Sequence, residues 1–341
     1  MNSKSYLLFL IVSFIVSVVF TYYYFLYTNE YEAGSSVKIA NYQADKVFQT
    51  RIFITTLANL LLPLLPVIKN CFQWIVPYPI DFQVLLQIIN VIFTFLLIIS
   101  LPILLQLFDY KGNYWNALII FIPISWNYIV INGYVDGAGL FYCYDIPSLT
   151  FFSLGLIFFL KNKWLYYYPI FIFACLNRES ACFISLAGAL MTSNFKTYKY
   201  NIFFMENKNI FFHVFIQAFI WCTLRIILSL AFKDNPGEFF EEPHSMINFF
   251  KTMVTGNSHW AMENPYWFLT LFSGLWLIPL INYKHLNSAC NRLIVVGIIY
   301  LIVLFFRSNM METRVYNELN VIITVCAIIS LKSKDTFKII K

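Results

Sequence analysis

The chain has 341 residues and a net charge of +6, with 60% hydrophobic, 20% aromatic and only 12% charged residues. A soluble domain carries about 25% charged residues, so too little charge remains to cover a water-facing surface. This argues against a soluble enzyme, a disordered protein and a basic nucleic-acid binder, while seven cysteines without a CxxC pair support neither a disulfide framework nor a zinc site.

Crossing a bilayer takes about 20 apolar residues, fewer where neighbouring helices shelter the segment. The first run, 6–28, follows the short head Met1-Asn2-Ser3-Lys4 and has no small-x-small cleavage pattern, which predicts an uncleaved first span. The run 52–68 holds Pro63 and Pro66 and is followed by the polar Lys69-Asn70. Later runs lie at 82–108, 114–131, 147–160, 165–175, 181–191, 210–232, 266–281, 293–306 and 319–331.

Charge decides whether 52–68 crosses. If it stays in the outer interface, the inner side collects 13 positive and three negative charges, and the outer side nine positive and fourteen negative, a positive-inside bias. The opposite parity puts Lys161, Lys163 and the lysine-rich 196–208 loop on the wrong side. The expected fold is therefore all-α: one polytopic transmembrane domain over 1–341, with about ten spans and both termini cytoplasmic. The first outer loop, 29–81, carries membrane-lying helices, including 52–68 as a juxtamembrane or re-entrant segment. Another outer loop, 233–265, carries an interfacial amphipathic helix at 244–255, with Ile247, Phe250 and Val254 on one stripe.

Four of the six arginines, Arg51, Arg178, Arg307 and Arg314, fall on the outer side, whereas twelve of seventeen lysines fall inside. Guanidinium suits bidentate recognition of phosphate or carboxylate; it serves equally in structural bridges to outer acids. Asn177-Arg178-Glu179-Ser180 interrupts an apolar stretch running from Trp164 to Met191. Charge at that depth marks either a functional cavity or a buried ion pair joining short helices. Arg225 lies roughly 10 Å inside the outer end of its span, either snorkelling outward or pointing into the same cavity. Asp145, just before Ile146-Pro147, reads as a helix N-cap or as a catalytic carboxylate. Glu312, Arg314 and Glu318 cap the last span, facing one another or a ligand. Glu30 and Glu32, just outside the first span, are candidate general bases or solvated loop acids. Glu238, Glu241, Glu242, His244, His259 and Glu263 show no metal-ligand spacing, so no metal site is predicted, although the acids leave room for a divalent cation.

This layout resembles the GT-C superfamily of integral-membrane glycosyltransferases, which have a first span, a long outer loop bearing an acidic motif, and many further spans. Glu30-Tyr31-Glu32 stands where that motif falls but reads ExE. Phe48-Gln49-Thr50-Arg51-Ile52-Phe53, Tyr144-Asp145-Ile146-Pro147, Asn177-Arg178-Glu179-Ser180 and Glu312-Thr313-Arg314-Val315-Tyr316 look similar to multispanning bacterial proteins related to that group. The resemblance implies a lipid-linked sugar donor, a carboxylate base among Glu30, Glu32 and Asp145, and phosphate or substrate contacts from Arg51, Arg178, Glu179, Arg225, Glu312 and Arg314. The partners expected are the lipid bilayer and that donor, with no nucleic acid. Absence of Asn-x-Ser/Thr sequons, with Lys-, Ile- and Phe-rich composition, points to a bacterial inner membrane. Two other readings stand beside it: a transporter or flippase using the same charged cavity, and a polymerase or ligase of surface polysaccharide.

Overall fold

Apolar runs with few polar side chains leave backbone N–H and C=O groups to bond one another, and helices follow. The computed structural model describes residues 3–67, 82–131, 139–193, 207–238, 267–307 and 313–338. Its principal helices are α1 (Ser3–Tyr27), α2 (Phe53–Leu61), α3 (Phe82–Leu107), α4 (Asp145–Leu160), α5 (Trp164–Asn177), α6 (Cys182–Thr192), α7 (Lys208–Ala231), α8 (Ser288–Arg307) and α9 (Leu319–Lys338). Among the described residues, α1, α3, α7 and α8 are long and apolar enough to cross a membrane, by length and composition. Their outward residues, such as Leu7 and Phe14 of α1 and Phe215 and Phe219 of α7, are apolar and exposed, compatible with a lipid surround.

The central helices are shorter. α4, α5 and α6 have 16, 14 and 11 residues, so at 1.5 Å per residue the longest reaches about 24 Å against a hydrocarbon core of about 30 Å. α4 is apolar on every side and is buried along most of its length, packed on α3, α5 and α6. Gly155 of α4 faces Ile184 of α6, and Gly188 of α6 faces the Phe159 ring, so each glycine admits the other helix closely. Ser100 and Ser153 share a 2.7 Å hydrogen bond between α3 and α4.

The connections gather at two opposite ends. At one end, Asn235 donates to the carbonyls of Tyr42 and Ala44, while residues 28–51, 139–145, 177–180 and 313–318 meet in the contacts described below. At the other, Ser5 bonds Tyr114, Asn287 donates to the Phe108 carbonyl, and Lys332 lies over the Tyr110 ring. There Arg292 also gathers the carbonyls of Leu190, Met191 and Ser193 at the end of α6.

Three features depart from a plain helical reading. Two short parallel strands, β1 (Thr28–Glu30) and β2 (Gly139–Phe141), pair in the register Thr28↔Gly139, Asn29↔Leu140, Glu30↔Phe141. The expected span 114–131 is composite: a 3₁₀ segment Tyr114–Ile120, a short α segment Phe121–Ser125 and a π turn Trp126–Val130. The expected span 266–281 is broken, because Phe272, Ser273 and Gly274 all take left-handed φ values of 57°, 55° and 70°. Asn127 in the π turn accepts the Phe272 N–H at 2.9 Å, so the two irregular segments meet.

The run 52–68 enters the structure as α2 followed by a 3₁₀ turn at Leu62–Leu64. Asn59, near the end of α2, donates to the Ala40 carbonyl, which keeps α2 beside the short helical turn Ser36–Ala40. The expected helix at 244–255 lies outside the described residues.

Candidate functional site

The charged groups converge at the end formed by the segments assigned outside. Tyr144 is the N-cap residue of α4 and makes no side-chain cap. Asp145 therefore stands inside the first turn rather than capping it, and its carboxylate is free to serve α5. It is wholly buried; Oδ1 accepts from Arg178 Nη1 at 3.0 Å, and Oδ2 has no hydrogen-bond partner among the described residues. Arg178 reaches it because α5 stops at Asn177, whose side-chain amide donates to the Tyr144 carbonyl at 2.9 Å and to Ser148 Oγ at 3.2 Å. This lashes the end of α5 to the start of α4.

Glu179 turns the other way. Arg51 grips both its oxygens, Nε at 3.1 Å and Nη2 at 2.5 Å, while Nη1 donates to the Tyr144 hydroxyl at 2.7 Å. The guanidinium also stacks over the Tyr144 ring, 4.8 Å from its centroid. Arg51 is buried but the Glu179 side chain is 43% exposed, so this pair forms a rim. Burial holds the Tyr144 hydroxyl well above its ordinary value despite the pull of Arg51 and Arg314, and it stays neutral.

Arg314 lies over the Tyr142 ring at 3.6 Å and is buried. Glu318 is buried too, receiving hydrogen bonds from Ser180 and from the Tyr300 hydroxyl, the latter at 2.5 Å. Arg178, Ser180, Ser148 and Glu318 line a cavity of about 10 Å³, room for a single water. Asn317 donates to the Asp145 carbonyl at 2.8 Å and accepts from Tyr128; Asn320 Oδ1 accepts from Asn127 at 3.2 Å. An asparagine chain thus holds the Asp145 backbone from behind and runs down to the broken segment.

Of the residues singled out from the sequence, Arg51, Asp145, Arg178 and Glu179 come together in direct contacts around Tyr144, and Arg314 acts electrostatically on Asp145. Arg225 does not snorkel outward; it donates to the Cys175 carbonyl and acts electrostatically on Glu179. Glu30 and Glu32 contact no arginine among the described residues. Glu30 accepts from Ser36, and Glu32 forms an exposed 3.2 Å pair with Lys38. Glu312 lies outside the described residues, as do Glu241, Glu242, His244, His259 and Glu263. No group of three His, Cys, Asp or Glu able to hold a metal occurs among the described residues.

Sequence reasoning gave no role to Tyr142 or Tyr144, although both flank Asp145, and passed over Tyr300, Asn127 and Asn320. The spacing of Asn317 and Asn320 was the one available signal, since i and i+3 place two amides on one face of a helix. Compared with known proteins, the chain matches no family model, no curated protein and no solved structure.

Proposed function

We propose that this chain is a membrane-embedded glycosyltransferase that moves a sugar from a polyprenyl-phosphate donor to an acceptor hydroxyl on the extracytoplasmic face. The observation that carries this reading is Asp145: a buried carboxylate with one oxygen fixed by Arg178, the other without a hydrogen-bond partner among the described residues, and Arg51 and Arg314 acting on it electrostatically. In the reaction, Asp145 takes the acceptor proton as the acceptor oxygen bonds to the anomeric carbon. The bond from that carbon to the donor phosphate breaks, and the phosphate leaves with its electron pair. Arg51, Arg178 and Arg314 stabilise the charge that develops there. Asp145 is preferred to Glu30 and Glu32 as the base because those two lie away from the arginines.

Ten crossings, cytoplasmic termini and residence in a bacterial inner membrane complete the proposal. The gathering of the assigned outer segments at one end and of the assigned inner segments at the other supports that parity.

The test is reconstitution of the full chain with a panel of polyprenyl-phosphate sugars. Wild type is expected to transfer sugar, and Asp145→Asn to lose transfer at least a hundredfold while staying folded, the scale of general-base catalysis. Unchanged transfer by Asp145→Asn would overturn the base assignment, and no transfer by wild type from any donor would overturn the enzyme reading. The broken segment at 271–274 facing the π turn favours a second reading, a transporter or flippase, since interrupted helices are common at transport sites. Counterflow in liposomes without covalent product would favour that reading.

A further inference from the structure

Asp145 and Glu179 each bind an arginine, whereas Glu318, which immediately precedes α9, forms no ion pair among the described residues although it is buried. Hydroxyls hold it instead: Oε1 accepts from Ser180, and Oε2 accepts from Tyr300 at 2.5 Å. The Tyr300 hydroxyl has a second acceptor in reach, the Val315 carbonyl at 2.9 Å.

A phenol has one proton to donate, and a carbonyl oxygen can only accept. With Glu318 ionised, Tyr300 gives that proton to the carboxylate, and the Val315 oxygen faces the phenol oxygen with no proton between them. A proton added to Oε2 completes the chain. Glu318 then donates to the Tyr300 oxygen, Tyr300 turns its own proton to Val315, and Ser180 still donates to Oε1. No heavy atom has to move. The site accommodates both protonation states, which a titrating carboxyl needs and a purely structural one does not.

A buried proton site also needs a means of exchange and a neighbour that senses its charge. Glu318, Ser180, Ser148 and Arg178 share the wall of the cavity of about 10 Å³, which admits one water for proton exchange. The charge of Glu318 acts on Asp145 of α4, Arg178 at the break, Tyr128 of the π turn, Cys182 of α6 and Tyr300 of α8. On its own segment, Arg314 is turned over the Tyr142 ring. Arg178 and Asp145 are paired with each other at 3.0 Å, so a change at Glu318 reaches the carboxylate assigned as the base. One ionised carboxyl disfavours ionisation of another nearby, and a guanidinium acting on two acids neutralises each less.

We infer that Glu318 is a proton-binding positioning residue: ionised, it draws on Arg178 and makes Asp145 a stronger base; protonated, it leaves Arg178 to Asp145 and weakens that base. The proton comes from water and returns to it, and only O–H bonds are made and broken. This inference deepens the proposed function and rests on it only for the role of Asp145 as base.

Infrared difference spectra of the full chain in nanodiscs, titrated with acid, follow the C=O band of protonated carboxyl groups. Wild type is expected to gain a band that Glu318→Gln lacks and that Tyr300→Phe shifts, because the phenol that accepts from the protonated acid is gone. Sugar transfer is measured against pH in parallel. Wild-type kcat is expected to fall on the acid side with two ionisations and Glu318→Gln with one. At the pH where wild type is fastest, that variant should lose about tenfold in kcat, with KM changed by no more than about twofold. A band unaffected by either substitution, or the same pH profile in wild type and Glu318→Gln, would overturn the inference. If Glu318→Gln fails to fold, Tyr300→Phe carries the test, and an unshifted band overturns it. A Glu318 band in a protein that transfers no sugar would defeat the transferase reading alone.

Discussion

Arg178 Nη1 lies 3.0 Å from Asp145 Oδ1, joining the residue after α5 to the first residue of α4, with both side chains buried. Two charges so far from water are stable only together. Removing one partner leaves the other uncompensated, whereas replacing both with apolar groups relieves the desolvation cost.

Arg178→Met is therefore expected to destabilise the folded chain by about 3–5 kcal/mol. The double variant Asp145→Leu with Arg178→Met is expected to recover much of that loss while remaining inactive. Denaturant unfolding in detergent, run as a double-mutant cycle, measures the coupling. Additive single effects would mean that the pair contributes nothing as a pair.

The approach of α4 to α6 gives a packing prediction. A Cβ on Gly188 would stand closer than 3.0 Å to the Phe159 ring, which is fully buried and has little room to move. Gly188→Ala is expected to cost about 1–3 kcal/mol, as overpacked cores do. Phe159→Leu in the same chain should restore part of it, read as a rise in melting temperature over the single variant. If the alanine variant melts like wild type, the two helices are not in such close contact.

Cys143 precedes Tyr144 in the connection between β2 and α4 and is buried; burial pushes its thiol up to about 12, and neighbouring Glu30 pushes the same way. The direction is set by loss of water around the thiolate, so the neutral thiol dominates below that value. At pH 8 only about one molecule in ten thousand carries the reactive form. Maleimide at pH 8 should leave Cys143 unmodified in the folded protein and label it once the chain is denatured, as peptide mass spectrometry would record. Rapid labelling before unfolding would show that the segment opens.

Parity is tested from the ends. Lys163, between α4 and α5, and Asp234, after α7, are both exposed and belong to opposite sets of connections. With native cysteines replaced, Asp234→Cys should react with an impermeant maleimide on intact spheroplasts, and Lys163→Cys only after lysis. Reversed labelling inverts the orientation, and labelling of both from one side breaks the ten-span arrangement.

Much of this layout was legible because helices long and apolar enough to cross a bilayer declare themselves by apolar length, as in α1, α3, α7 and α8. The scarcity of charge likewise made Arg178 and Glu179 visible as an interruption. What sequence withheld was pairing. Arg51 and Glu179 are 128 residues apart, and nothing local says that Arg51 takes Glu179 while Arg178 takes Asp145. Nor does an acid near a span reveal its direction: Glu32 turned to Lys38, six residues on, and away from the arginines. The break at 271–274 was equally hidden, because Phe272 and Ser273 seldom adopt left-handed φ and do so here beside an amide supplied by Asn127, 145 residues earlier.

The pairing of β1 with β2 has a mechanical consequence. Backbone bonds, indifferent to side-chain identity, fix how far α1 stands from the start of α4, so the strands act as a ruler between the first helix and Asp145. Exchanges among extended-chain residues at 28–30 or 139–141 leave that ruler intact. Deleting one residue from either strand slides the register by about 3.3 Å, more than a hydrogen bond's length. Asp145 and Arg178 would then be carried out of reach of each other without either having been altered.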